Sequence, residues 1–307
     1  MRTACRLYKY RFATKQETML MTPRPLCIRF WGTRGNLPPH EPGTAFGIHT
    51  TCVEIRRPGG PPVFVDAGSG LAAAGVRSLE KNQRRFELFL THLHLDHLNG
   101  ILSFAPLYDP ACSVTIRSGR SDTEAAIRRL FQPPYHPVPF EELAADVTFE
   151  TLDSRGKRRL EDHGLTVHWG AVPHPQGCTA YRFENDNSAI AFITDVELAS
   201  RETPDSHLYR LLAEPFPAGL AVIDGFFTDS EIDRFADWGH SSWKQARECA
   251  QRAGVETVLV THHHPAKSDR RLRELEAAAD GVTWAREGRI WTVRGNTVEQ
   301  SEACPSP

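Results

Sequence analysis

The sequence predicts an α/β fold built in layers, on three observations. Ten short runs rich in β-branched and aromatic residues recur along the chain, four amphipathic helical patterns lie between them, and both kinds occur in each half. In order, the strand runs are LCIRFWG (26–32), CVEIRR (52–57), PVFVDAG (62–68), FELFLTH (86–92), SVTIRS (113–118), LTVHWGAVPH (165–174), SAIAFITD (188–195), GLAVIDG (219–225), ETVLVTH (256–262) and RIWTVRG (289–295). The helical patterns cover 69–81, 121–132, 240–253 and 268–280. The third is the best marked. Ser242 and Gln245 form an S-x-x-Q capping box, Trp243, Ala246, Ala250 and Ala253 repeat on one face, and Gly254 closes it. QPPYHPVPFEEL (132–143) is rich in proline but short, and reads as an ordered loop, not a linker. One domain is expected over 25–297, with a flexible extension over 1–24 and a C-terminal tail over 298–307.

With 307 residues, 40% of them apolar and 24% charged, the chain can bury a sizeable core. A net charge of −2 supplies no bulk attraction to nucleic acid or to a membrane surface. No apolar run approaches the roughly 20 residues that span a bilayer. The N-terminal MRTACRLYKYRFATKQETML is basic but lacks the apolar middle of a secretory signal, and Met21 stands just before the first strand run. Seven cysteines (Cys5, Cys27, Cys52, Cys112, Cys178, Cys249 and Cys304) are odd in number, scattered and without C-x-x-C spacing. They are expected to be reduced thiols in a cytoplasm. A homodimer stays open.

THLHLDHLNG (91–100) places three histidines and an aspartate within six positions at the end of the strand FELFL. Imidazole nitrogen and carboxylate oxygen are ligands that zinc, iron or manganese accept. The interleaved leucines would alternate away from the ligands and anchor the loop. A lone histidine would read as a satisfied core residue; four ligand types this close do not. Other strand runs end alike: His174 closes LTVHWGAVPH, Asp195 closes SAIAFITD, His262 closes ETVLVTH, and Asp66 leads from PVFV into AGSG. Polar residues at the C-terminal ends of apolar strands collect along one edge of a sheet, and together these supply ligands for two metals.

H-x-H-x-D-H, followed by a His, an Asp and a His at strand ends, resembles the metallo-β-lactamase fold superfamily; the matches are THLHLDH, VPH, ITD and VTH. DAGSG is similar to that superfamily's early aspartate motif. RFWGTRGN near the N-terminus, and GHSSW (239–243) ahead of THHHP (261–265), resemble the branch around ribonuclease Z and related phosphodiesterases. The resemblance runs from about Ile28 to Trp291. It departs at GIHTTC, where His49 replaces a frequent Asn, and at Asn36, which replaces a small hydroxyl residue.

The resemblance implies an αββα four-layer sandwich holding two divalent metal ions, Zn2+ foremost, with Mn2+ or Fe2+ as alternatives. His92, His94 and His174 would hold the first ion, and Asp96, His97 and His262 the second. Asp195 would bridge them, beside a bridging hydroxide, and Asp66 would orient the His-rich loop through hydrogen bonds. His240 would protonate the leaving group, so that His240, Asp96 and Asp195 are the catalytic candidates. In His262-His263-His264 the family pattern takes the first, although strand alternation also lets His264 point the same way. His263 and His264 otherwise read as substrate-edge or surface residues. His40, His163, His168 and His207 read as surface or loop residues, and His136 as a candidate to line the pocket.

Two metals about 3.5–4 Å apart suit in-line displacement at phosphorus, and an expelled alkoxide needs a proton. His240 precedes a capped helix start whose partial positive charge favours a phosphate. The expected substrate is therefore a small phosphodiester such as a cyclic nucleotide. Transfer-RNA 3′ processing is disfavoured. Ribonuclease Z inserts a long arm between the corresponding His and Asp, whereas His174 and Asp195 stand 21 residues apart. The alternatives are hydrolysis of another ester or a lactone, which leaves GHSSW without a role, and a non-catalytic metal-binding sensor or scaffold.

Overall fold

The computed structural model describes residues 24–41, 45–198 and 206–305. The first half of the chain supplies β1 (Leu26–Gly32), β2 (Cys52–Arg56), β3 (Val63–Val65), β4 (Arg85–Leu90), β5 (Ser113–Ser118) and β6 (Asp146–Thr151). The second supplies β7 (Arg155–Leu160), β8 (Leu165–Val172), β9 (Cys178–Asn185), β10 (Ser188–Ile193), β11 (Leu220–Asp224), β12 (Thr257–Thr261) and β13 (Thr283–Trp284). β14 (Ile290–Arg294) and β15 (Thr297–Ser301) then return to the first sheet. The sheets have the orders β15-β14-β1-β2-β3-β4-β5-β6 and β13-β12-β11-β10-β9-β8-β7. Each combines an antiparallel meander with a block of parallel strands, β3 to β6 in one and β10 to β13 in the other.

Strand alternation explains the layers. On the inner faces Ile28, Phe30, Val53 and Ile55 meet Val167, Tyr181, Phe183, Ile190 and Val222 in one core. On the outer face of the first sheet, Phe64, Leu88 and Ile116 pack under α1 (Gly70–Glu80) and α2 (Thr123–Leu130) through Leu71, Ala74 and Ile127. On that of the second, Ala191, Ile193 and Ile223 pack under α3 (His207–Ala213), and further along the chain come the short α4 (Asp229–Ile232), α5 (Trp243–Arg252) and α6 (Asp269–Ala278). Strands covered on both faces read as near-continuous apolar runs. This is the four-layer αββα sandwich expected.

Five strands were not among the sequence runs: β6, β7, β9, β13 and β15. β7 is RGKRRL at a sheet edge, where charge protects an open strand from pairing with another chain. β9 is buried although it contains Arg182, whose guanidinium donates to Glu184 and to the Leu211 and Phe216 carbonyls. β15 corrects the expected tail over 298–307, because Thr297–Ser301 pairs with β14. The cysteine expectation is corrected too. Cys27 and Cys304 form a disulfide across 277 residues, with Cα atoms 5.8 Å apart. Spacing along the chain could not show a partner so distant, and the bond removes the cysteine argument for a cytoplasm. Cys52, Cys112, Cys178 and Cys249 are buried thiols, and Cys5 lies outside the described residues, as does the expected extension up to residue 23. Among the described residues no helix is long and apolar enough to cross a membrane.

Candidate metal centre

β3, β4, β8, β10, β11 and β12 all end at one edge of the sandwich, and each hands over a polar side chain there. Asp66 follows β3, the cluster His92 to His97 follows β4, His174 follows β8, Asp195 follows β10, Asp224 ends β11 and His262 follows β12. After β4 the chain turns through a short 3-10 segment, Leu95–His97, in which the His97 amide donates to the His94 carbonyl at 3.0 Å. Leu98 is buried, but Leu95, expected to anchor the loop, is 61% exposed, because the turn breaks the strand alternation. Asp66, Asp195 and His262 all have positive φ, at 62°, 50° and 60°. Such backbone is costly for non-glycine residues and persists where the surroundings enforce it.

Three groups of ligand atoms result, the atoms of each within 4.8 Å of one another. Two share no residue: His92, His94, His174 and Asp195 in one, and Asp96, His97 and His262 in the other. The third, Asp195, His240 and His262, takes a member from each. In the first, His94 Nδ1 faces His174 Nε2 at 3.5 Å, and His92 Nε2 is buried without a hydrogen-bond partner, 3.7 Å from Asp195 Oδ2. In the second, His97 Nε2 lies 3.2 Å from His262 Nε2 and 3.3 Å from both Asp96 Oδ2 and Asp195 Oδ1. His262 Nε2 lies 3.1 Å from Asp96 Oδ2 and 3.4 Å from Asp195 Oδ1. Asp195 thus touches both groups.

The chemistry of the second group asks for a cation. His97 Nδ1 is committed to Asp66 Oδ2 at 2.8 Å, so in the neutral ring Nε2 is an acceptor that faces two carboxylate oxygens. The charges show the same demand. Burial pushes the His97 imidazolium down, yet Asp96, Asp195 and Asp66 outweigh it and hold the proton well above the usual histidine range. Burial raises the Asp195 carboxyl, but His262, His97 and His92 draw it well below its ordinary value. An N/O donor set of this kind fits a divalent transition metal.

Neighbouring groups fix the donors. Asp66 accepts from the Thr91 amide at 2.8 Å and the Thr91 hydroxyl as well as from His97, which ties the start of the His-rich loop to its last ligand. His174 Nδ1 donates to the Gly239 carbonyl at 2.9 Å. Gly239 has φ +80°, and a Cβ there would stand 2.2 Å from the His174 ring. In the GTRGN segment Arg34 is fully buried and donates to the carbonyls of Gly47 and Lys267 and to Asp269. A Cβ on Gly35 would collide with the His262 ring at 2.3 Å. The amide of Asn36 donates to Asp96 Oδ2 at 2.8 Å, so that position acts through its backbone whatever its side chain.

His240 stands beside both groups, in the loop ahead of the capping box that Ser242 and Gln245 form at the start of α5. The helix begins after Ser242, where the capping box places its start. His240 Nδ1 bonds Asp224 Oδ2 at 2.7 Å, and its ring stacks on Phe226 with centroids 4.3 Å apart. Burial lowers the imidazolium, but Asp224 and then Asp195 and Asp96 more than reverse this, and its pKa is raised to about 9. Asp224 was missed by the sequence reading, although GLAVIDG ends in a carboxylate just as the other site strands do.

The remaining histidines fall elsewhere. His263, expected at a substrate edge or the surface, is buried, with Nε2 donating to the Ala285 carbonyl at 2.7 Å and burial lowering its pKa to about 3. His264 is half-buried against Phe226. His163, expected at the surface, is 5% exposed. His136 contacts Phe131 and Val138, and His49 contacts Ser69; neither joins a ligand group.

Sandwich and site together define a metal-dependent hydrolase of the metallo-β-lactamase fold. The model of the beta-lactamase superfamily domain matches residues 63–263, and the chain belongs to that superfamily, in its ribonuclease Z-like branch. It is 26% identical to Ribonuclease Z of Exiguobacterium sibiricum over 264 residues, covering 71% of this chain and 83% of that one. The metallo-β-lactamase fold protein YhfI from Bacillus subtilis superposes with a TM-score of 0.64 at 16% identity, over 88% of this chain and all but 1% of its own, since 99% is covered. A diphosphatase from the PhnP family gives 0.63 at 16% identity, over 86% and 96%.

Proposed function

We propose that this chain is a binuclear phosphodiesterase acting on a small phosphodiester such as a cyclic nucleotide. His92, His94 and His174 would hold one ion and Asp96, His97 and His262 the other, with Asp195 shared and zinc the metal best suited to the donors. The ions, when bound, supply Lewis-acid charge stabilisation and an activated water at neutral pH. The chain's own residues do the rest. The single observation that carries the reading is His240. Its Nδ1 is locked on Asp224 at 2.7 Å, its Nε2 makes no hydrogen bond among the described residues, and Asp224 favours the protonated ring. That is a proton donor placed where a departing alkoxide needs one.

The surroundings support a small substrate. A cleft of about 590 Å³ opens beside His174 and His240, within the range of small-molecule sites. Glu197, Asp233 and Asp237 line it, and three carboxylates disfavour a polyanion. β9 and β10 are joined by a tight turn, which leaves no room for an inserted arm. RNA cleavage is the second reading, favoured by the similarity to Ribonuclease Z. Purified metal-loaded protein should be assayed on bis-nitrophenyl phosphate, cyclic mononucleotides, short RNA and a lactone, with elemental analysis alongside. Near two metals per chain and turnover of the small diesters are expected. Turnover of the lactone with the diesters inert would contradict the proposal.

A further inference from the structure

A second charged cavity lies away from the metal centre, on the outer face of the first sheet. It measures about 320 Å³ and is lined by Arg29, Arg56, Arg77 and Lys81 together with Glu54. Three elements build it. Arg29 on β1 stands opposite Glu54 on β2, Arg56 ends β2, Arg77 lies in the last turn of α1 and Lys81 caps that helix four residues on. The turn Gly59–Pro62 closes it at the start of β3, the end remote from Asp66. Ser78 and Gln83 add neutral hydrogen-bonding groups.

We propose that this cavity is a binding site for a phosphate dianion, free or as a monoester. Glu54 is the only carboxylate lining it, and its oxygens are already engaged by Trp31 Nε1 at 2.9 Å and Arg56 at 3.2 Å. Arg29 meets no acceptor among the described residues; its guanidinium lies over the Trp31 ring at 5.2 Å. Arg77 and Lys81 likewise have no ion-pair or hydrogen-bond partner among them. Three cations without an ion-pair or side-chain hydrogen-bond partner among the described residues therefore share one small cavity, Arg29 half-buried opposite Glu54 and Arg77 and Lys81 exposed, whereas solvated surface charges normally pair or spread. Burial lowers the pKa of both Arg29 and Lys81; Glu54 offsets part of this, and the neighbouring cations add to it, an effect that a bound anion opposes.

Guanidinium groups match the oxygens of phosphate bidentately, and a dianion offsets more of the excess charge than a carboxylate does. No aromatic ring lines the walls for a base to stack on, and the cations are confined to one small cavity and do not form a track. Both features favour a small phosphate over a nucleic acid. The site is independent of the catalytic reading, since it shares no residue with the metal centre.

Isothermal titration at constant ionic strength tests it, with inorganic phosphate in one arm and glycerol phosphate in the other. Phosphate can also visit the metal centre, so the wild-type holoenzyme is compared with Arg77→Ala/Lys81→Ala and with Asp195→Ala. Asp195→Ala should keep the remote binding event. The α1 double variant should lose about tenfold or more of that affinity, with unchanged turnover of bis-nitrophenyl phosphate and an unchanged melting temperature. Arg29→Gln should weaken it similarly. Binding by either anion that vanishes in these variants supports the site, and the arm that binds more tightly identifies its source. Absence of a remote binding event in wild type and Asp195→Ala, or equal affinity in wild type, the α1 double variant and Arg29→Gln, would overturn it.

Discussion

The two sheets reach one site by different routes. The first sends four ligand candidates from a single loop, His92 to His97, after β4. The second sends His174, Asp195 and His262 from three separate strand ends, and His240 from the loop before α5. Both nevertheless repeat one device, an aspartate at a strand end that locks Nδ1 of a histidine: Asp66 with His97 at 2.8 Å, and Asp224 with His240 at 2.7 Å. What the histidine then does depends on what its other nitrogen meets. His97 Nε2 faces Asp96, Asp195 and His262, a setting for a cation. His240 also comes near Asp195 and His262, but its Nε2 makes no hydrogen bond among the described residues, and in the metal-free protein its pKa is raised to about 9. On the proposed function, the same local chemistry would serve a ligand in one half and an acid in the other.

The largest effect is expected where the halves join. Asp195 is the residue that approaches both ligand groups, so Asp195→Ala should abolish hydrolysis and lower metal content measured by elemental analysis; near-normal turnover would remove it from the shared position. The paired substitutions Asp66→Asn and Asp224→Asn sharpen the contrast. The first should weaken metal affinity by about 10–100-fold, as loss of an outer partner of a ligand does, and competition with a chelator reads it. The second should leave metal content alone and cut the rate on an alkoxide-leaving substrate. Identical phenotypes would erase the distinction between ligand and acid.

A smaller effect concerns pH. Against burial, Asp224, with smaller contributions from Asp195 and Asp96, raises His240 from an ordinary value near 6.5 to about 9 in the folded, metal-free protein. The group gains stability on folding while it is protonated. That contribution is complete below about pH 6.5 and is lost as pH rises through about 9. The urea midpoint of metal-free wild type should therefore exceed that of metal-free Asp224→Asn most at pH 6, and the gap should narrow by pH 9.5. A constant gap would mean that Asp224 acts through packing alone.

The contiguous half of the site was legible because six positions carry it and their order is a motif. The strand-end ligands of the other half were legible because apolar runs stop at them. Asp224 escaped notice although it ends a run in the same way, since no motif called attention to it; its part appears only when β11 brings it against His240. His263 was misjudged because the alternation that would expose it gives way to the left-handed turn at His262, which sends its ring beneath Ala285. β7 and β15 are polar edge strands, where solvent leaves no apolar pattern to read. The Cys27–Cys304 bond joins the two ends of the described fold, and only tertiary structure makes them neighbours.

The central claim is that His240 is the acid of a phosphodiesterase, and the leaving group tests it. A nitrophenolate departs without a proton, whereas a ribose alkoxide does not, and a positioned acid is worth about 10²–10⁴-fold in rate. Turnover by His240→Ala is to be measured on a cyclic nucleotide and on bis-nitrophenyl phosphate, with metal content checked in the same preparation. A loss of that size is expected on the nucleotide, with a far smaller loss on the nitrophenyl ester and full metal occupancy. Equal losses on the two substrates with both metals in place would contradict it.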